Sequence, residues 1–201
     1  LKRDWGSNLE LWEKGPLHRY REAKLLSTLR RYLKKGIVLD VGSGCGSMAI
    51  ELARNNFITE TVDINKDCVK YVKKRISQLA LEDRIHIQQA NVTFLPFPSC
   101  YFDGIVAGEV LEHIEDDFRA VRELYRILKP GGICIVTVPH NPKLYDFVDS
   151  WAGHKRRYTK NELLDLFNID DFEIEKIFVY GFPFARLYHI VLARFYYKKI
   201  I

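Results

Sequence analysis

The chain has 201 residues, of which 47% are apolar and 28% charged. It is long enough to bury a continuous core and too apolar for a disordered chain. Its net charge of +5 admits an anionic partner without requiring one. Cys45, Cys68, Cys100 and Cys134 are scattered with no C-x-x-C pair, which excludes a zinc-ribbon spacing and a disulfide framework. Reduced thiols and a cytoplasmic location are the expectation. The opening residues, Leu1 to Trp5, lack the apolar centre of a signal peptide.

Residues 17–35 carry Leu25, Leu26, Leu29 and Leu33 near helical spacing with basic residues on the other faces, which predicts an amphipathic helix ending at Gly36. The apolar run 37–41 (IVLDV) predicts a strand, followed at once by GSGCG and a helix over 47–54. The alternation then repeats, with strands at 59–64, 84–89 and 102–107 and helices at 66–80 and 115–128. The helix over 115–128 stops before Lys129-Pro130-Gly131-Gly132, and 133–138 (ICIVTV) predicts a fifth strand. Apolar strands without period-2 alternation are those covered by helices on both faces, so the fold class is α/β with a doubly wound, mostly parallel sheet in three layers. After Pro139 come a polar, aromatic-rich stretch (140–158), a helix at 159–167 and a sixth strand near 172–180. The segment 182–197 is apolar nearly all round but shorter than the roughly 20 residues that cross a bilayer. It reads as a buried helix, an oligomer contact or a peripheral membrane surface.

Gly42, Gly44 and Gly46 fall where strand one meets its helix, the ligand end of an open α/β sheet. Three glycines at alternate positions exceed what a tight turn needs, and they let backbone approach a ligand. The spacing is G-x-G-x-G rather than the dinucleotide G-x-G-x-x-G, with Ser47 in place of the third glycine. Asp40, two residues upstream, is unfavourable beside a pyrophosphate and favourable beside a cation, so the loop suits a cationic amino-acid nucleoside. Asp63, at the end of strand two, is placed to accept from two ribose hydroxyls, and Ile64 is placed either to cover an adenine face or simply to pack.

At this point the chain resembles the class I S-adenosylmethionine-dependent methyltransferases, especially the small-molecule and lipid methyltransferases that include the ubiquinone-biosynthesis enzymes. The matching blocks are VLDVGSGCG (38–46), TVDI (61–64), LPFPSCYFDGIVAGEVLEHI (95–114) and LYRILKPGGICIVTVP (124–139). The resemblance implies S-adenosylmethionine as cofactor and strand order 3-2-1-4-5-(7)-6. It gives Asp40, Gly42, Gly44 and Gly46 to the methionine part and Asp63 to the ribose. Asn91 and the Val92 backbone go to the adenine edge, and the backbone of Gly108 and Glu109 to the neighbourhood of the methyl group. Asn91 departs from the aspartate frequent in the family.

Methyl transfer from a sulfonium needs alignment and exclusion of water, so neither a metal nor a covalent residue is expected. The absence of [DN]-P-P-[YF] after strand four and of any Pro-Cys dipeptide argues against DNA and protein-amide acceptors. The basic face of residues 17–35 lacks interleaved aromatics, which disfavours RNA. His113, in the LEHI block, is a candidate base or a structural residue, and His140 is a further candidate base. WAGHKRRY (151–158) brings together Trp151, His154, Arg156, Arg157 and Tyr158, and resembles a G-H-x-R-R-Y block in a subset of these enzymes. Paired arginines grip carboxylate or phosphate, so this run is expected to bind an anionic acceptor or close over it. Otherwise it is a solvated charged loop or a helix cap.

The expectation is one methyltransferase domain over 1–201. It comprises a helical lid region (1–36, with Trp5, Trp12, Tyr20 and Arg21), a cofactor-binding core (37–139) and substrate-side and C-terminal elements (140–201). A monomer or homodimer is expected, taking a small-molecule or lipid-linked acceptor. The rival readings are an RNA or protein methyltransferase, an NAD-dependent oxidoreductase and a non-catalytic nucleotide-binding module.

Overall fold

The computed structural model describes residues 15–168 and 172–180. Five strands form one parallel sheet in the order β3-β2-β1-β4-β5, with β1 at Gly36–Val41, β2 at Phe57–Asp63, β3 at Ile85–Gln89, β4 at Phe102–Gly108 and β5 at Leu128–Thr137. The parallel sheet read from the alternation of elements, in the strand order that the resemblance implies, is therefore present as far as the fifth strand.

Alternate residues of each strand feed two apolar layers, as a sheet covered on both faces requires. Leu39, Val41, Ile105 and Ala107 join Ala120, Val121, Leu124 and Ile127 of α4 (Asp117–Ile127) on one face. Val38 and Val106 join Leu25 and Leu29 of α1 (Pro16–Tyr32) and Met48 and Leu52 of α2 (Ser47–Arg54) on the other. On that same face α3 (Lys66–Gln78) packs Val69, Val72 and Ile76 against Ile85 and Ile87. Glycine in β4 lets α1 come close: a Cβ on Gly104 would stand 2.8 Å from Leu33 Cδ1 and 3.0 Å from Leu29 Cδ1. That approach carries the first turns of α1 to the ligand end of the sheet.

Several boundaries differ from expectation, and two of the differences have a plain structural reason. Helix α1 ends at Tyr32, where the Leu33 N–H still bonds Leu29 O, and Gly36 already belongs to β1. The Lys129–Gly132 stretch is not a plain turn. Strand β5 starts at Leu128 opposite Phe102, bulges, and resumes register at Ile133 opposite Gly104, with Lys129 Nζ 2.6 Å from Asp103 Oδ1. Pro130 is tolerated there because β5 is the sheet edge among the described residues.

The expected sixth strand is the clearest correction: residues 172–180 form no strand. Phe172 packs its ring on Tyr125 and Phe167, on the α4 side, whereas Phe178 lies under the Lys24 ammonium and Tyr180 against Tyr20, on the α1 side. Anchored to helices on opposite faces, the segment straps the β5 edge instead of pairing with it. The apolar segment 182–197, Trp5 and Trp12 lie outside the described residues, and with them the readings placed there. No helix among the described residues is long and apolar enough to cross a membrane.

Candidate active site

The ligand end of the sheet is built around the loop between β1 and α2. Gly42, Gly44 and Gly46 all adopt left-handed φ values, 74°, 51° and 81°. A Cβ would collide with Val110 at Gly42 (2.8 Å) and with Val72 at Gly46 (2.9 Å), but would meet nothing within 4 Å at Gly44. Two glycines are thus demanded by packing, and the third holds bare backbone against open space. That is a cradle with room for a ligand where a side chain would otherwise stand. The loop is fixed to strand two, since the N–H groups of Gly42 and Ser43 donate to Val62 O and that of Gly44 to Asp63 Oδ2 at 2.9 Å.

Asp63 also accepts from Asn65 N–H through Oδ1, at 2.8 Å. Burial raises its pKa against the lowering effect of these bonds. Ile64, beside it, is 64% exposed, an apolar side chain laid open at the mouth instead of packed. Across the mouth Asn91 folds its Oδ1 onto the Thr93 N–H at 3.0 Å, and Val92 is buried.

Asp40 sits beneath the loop instead of facing it. It is buried, it accepts from Thr61 Oγ1 at 3.1 Å and from the Ala49 backbone, and burial together with the neighbouring Glu22 and Asp63 charges pushes its pKa up to about 7. It therefore lies in the low-dielectric layer under the glycines. From α1, His18 and Glu22 reach Ser47 at the N-terminus of α2: His18 Nε2 lies 3.2 Å from Ser47 Oγ, and Ser47 Oγ donates to Glu22. Arg21 donates to His18 Nδ1 at 2.9 Å and stands 3.9 Å from Glu109 Oε2, while its buried Nε finds no acceptor among the described residues. Glu109 follows β4 directly, with φ at 61°, a strained left-handed conformation for a non-glycine residue of the kind that collects at functional sites.

The acceptor side has a different organisation from the one expected. Arg157 grips Asp149, which is 2% exposed, with three bonds of 2.8–2.9 Å from Nε and one terminal nitrogen. Arg156 donates to Asp117 Oδ2 at 2.9 Å and to Glu115 O at 3.0 Å. Tyr158 is buried and donates to Asp117 and Leu111 O, and burial and Asp117 raise its pKa far above the ordinary phenol value. Both guanidinium forks are thus spent on acidic and carbonyl groups of the protein, because the run 154–158 lies between the loop that follows β4, which Arg156 meets, and the 147–152 helix, which Arg157 meets. Trp151 sits half-buried in the short helix α5 (Phe147–Ala152), and His140 is tied to Tyr158 O at 3.0 Å.

His113 and His154 do come together, their rings edge to face at 4.9 Å. His113 Nδ1 lies 3.1 Å from Gly153 O, and His154 Nδ1 lies 2.8 Å from Asp149 Oδ1. Between them the fully buried Glu112 turns its carboxylate toward His154, Oε1 to Nε2 3.8 Å, and neither oxygen finds a hydrogen-bond partner among the described residues. Burial and the charges of Glu109 and Asp149 raise the Glu112 pKa well above the carboxylate range. Glu112, Asp117 and Asp149 were all missed by sequence reasoning. Nothing local marks Asp117 or Asp149, whose partners are 39 and 8 residues away. Glu112 was visible only as the neighbour of His113.

The fold and this loop define a class. Residues 39–136 match the family described as the methyltransferase domain. The ubiquinone/menaquinone biosynthesis C-methyltransferase UbiE of Pectobacterium atrosepticum is 31% identical over 125 residues, 58% of this chain and 49% of that protein. This chain thus spans about half the length of the relatives it matches. The YcgJ protein of Bacillus subtilis superposes with a TM-score of 0.68 at 26% identity, over 76% of this chain and 68% of that one. An S-adenosylmethionine-dependent methyltransferase of Aquifex aeolicus shares the fold, with a TM-score of 0.71 over 90% and 94% of the two chains at 17% identity. Over residues 39–136 the chain is thus similar to methyltransferase domains, and its fold is the one found in S-adenosylmethionine-dependent methyltransferases. The residues present fit that cofactor: open backbone at Gly44 and a buried Arg21 nitrogen awaiting an acceptor are complementary to an amino-acid nucleoside.

Proposed function

We propose that this protein transfers a methyl group from S-adenosylmethionine to a small-molecule acceptor by in-line displacement. The observation that carries the reading is the loop 42–46, whose middle glycine holds bare backbone against open space while Asp63 fastens the same loop to the end of β2. In this reading the backbone of Gly42 to Gly46 holds the methionine part of the cofactor and Arg21 Nε binds its carboxylate. Asp63 retains lone pairs for the ribose hydroxyls, Ile64 covers the base, and Asn91 with the Val92 backbone reaches the adenine edge. Asp40 contributes negative potential from below. When bound, the cofactor supplies an electrophilic methyl on a positively charged sulfur. Helix α1 covers the loop and excludes water, and Gly108 and Glu109 line the mouth through which an acceptor arrives.

The acceptor in this reading is a small or lipid-linked molecule, a choice supported by relatives named for quinone biosynthesis. Arg156 and Arg157, engaged by Asp117 and Asp149, give no support to an anionic acceptor, and the reading does not rest on them. Instead, Arg156 braces the segment that follows His113, and Arg157 braces the short helix α5. Calorimetric titration of the protein with S-adenosylmethionine and, separately, with NAD tests the cofactor. Saturable binding of the first and none of the second is expected, and the reverse would overturn the proposal. Radiolabelled methyl incorporation across a panel of small hydroxylated and quinol acceptors then tests turnover.

A further inference from the structure

Outside the glycine loop the strongest unexplained feature is Glu112. A fully buried carboxylate with neither oxygen hydrogen-bonded is costly, because it has left water without compensation. It is not surrounded by apolar side chains alone. The donor atoms of Glu112, His113 and His154 all lie within 4.8 Å of one another. Their spacing is wider than the roughly 3.4 Å between ligands of a tetrahedral ion with bonds of about 2.1 Å, so closure by about an ångström completes a shell.

The surroundings of the cluster are those of a metal-binding histidine. His154 turns Nδ1 to Asp149 Oδ1 at 2.8 Å, which leaves Nε2 facing Glu112 at 3.8 Å. A buried carboxylate behind an imidazole fixes its tautomer and strengthens it as a ligand. Asp149 is itself locked by Arg157, and the Asp146 backbone N–H donates to its other oxygen at 2.9 Å. The His113 ring is oriented by Gly153 O. Gly153 and His154 follow α5 directly, so a single turn delivers both the anchor of one imidazole and the other imidazole.

We propose that Glu112, His113 and His154 bind a divalent first-row transition-metal ion at the acceptor mouth. One carboxylate and two imidazoles are a donor set for zinc, manganese or iron in preference to magnesium or calcium, and three protein ligands leave positions open, as in catalytic rather than structural sites. Methyl transfer does not itself need the ion. Its use, which rests on the methyltransferase reading, is to hold an oxygen-bearing acceptor close to the end of β4. The ion site stands or falls separately from that reading.

The test uses the whole chain stripped with EDTA and titrated with Mn²⁺ alone, followed by the loss of the free-ion paramagnetic resonance signal. Manganese avoids thiolates, so Cys100 at the surface does not confuse the result. One equivalent is expected to bind, and Glu112→Gln and His113→Gln are each expected to weaken it by about tenfold or more. Zn²⁺ calorimetry should give the same order of variants. His113→Gln keeps the test decisive should Glu112→Gln fail to fold, since His113 is half-exposed whereas Glu112 is fully buried. No saturable binding, or equal affinity in wild type and a folded variant, overturns the site and leaves Glu112 as a buried neutral acid. S-adenosylmethionine affinity of the metal-free wild type, measured alongside, reports separately on the methyltransferase reading.

Discussion

The amide of Gly44 donates to Asp63 Oδ2 at 2.9 Å, so the loop after β1 and the end of β2 are one unit instead of two neighbouring ones. A substitution at Asp63 removes a ligand contact and also releases the loop. Asp63→Ala is expected to lower S-adenosylmethionine affinity by about 10- to 100-fold, the worth of one or two hydrogen bonds to a charged group. Calorimetry checks this, and unchanged affinity in a folded variant removes Asp63 from the ribose.

Arg157 and Arg156 are expected to separate by stability and not by substrate use. Asp149 is 2% exposed, and Arg157→Ala leaves its charge buried with His154 and the Asp146 N–H beside it but no guanidinium. Breaking such a pair costs on the order of 3 kcal/mol. Arg156 is more exposed, and Arg156→Ala should cost about 1 kcal/mol. Urea unfolding of the two variants measures the difference, and equal small losses would return both residues to the role of solvated charges.

The parts of this molecule written in local pattern were legible in its sequence. Strand, glycine loop and helix recur with apolar runs suited to a doubly covered sheet, and all five strands fall within a few residues of where those runs place them. G-x-G-x-G and Asp63 are adjacent elements of one crossover, so spacing alone brings them together. The arginines of 151–158 were legible as charge but not as partners, because Asp117 comes from a helix 39 residues upstream. Residues 172–180 carry apolar residues fit for a strand, yet their rings find helices on both faces. A pattern names a buried face without naming what covers it. Glu112 is the sharpest case: LEHI draws attention to its histidine, and only packing reveals the stranded carboxylate next to it.

The glycines divide into those that serve packing and those that serve a ligand. Gly104→Ala places a methyl 2.8 Å from Leu33 Cδ1, and overpacking of this kind costs about 1–3 kcal/mol. Cofactor affinity should survive, because the displaced atoms are side-chain ends on α1. Gly44→Ala meets no atom but forces a left-handed residue, at a cost of about 1–2 kcal/mol, and projects its methyl into the cradle. Comparable thermal stabilities with affinity lost only in Gly44→Ala are expected. If both variants bind alike, the open space above Gly44 is not the ligand's.

Asp40 links pH to both stability and binding. Its carboxyl titrates near 7 in the folded protein, raised by burial and by the Glu22 and Asp63 charges, against about 3.9 unfolded. Between those values the folded state holds a proton that the unfolded state has released, so stability falls as pH rises through this window and levels off above about 7. Asp40→Asn, unable to ionise, should lose that slope. The variant should therefore gain on wild type by a few kcal/mol between about pH 4.5 and 7.5, read as diverging urea midpoints. A cationic ligand above the loop reverses the preference, since it favours the carboxylate. Wild-type affinity for S-adenosylmethionine should then climb as pH rises toward about 7, with protons released on binding, and the climb should be absent in Asp40→Asn. Parallel pH profiles for the two proteins would show that Asp40 is electrically silent toward the cofactor and serves only the packing under α2.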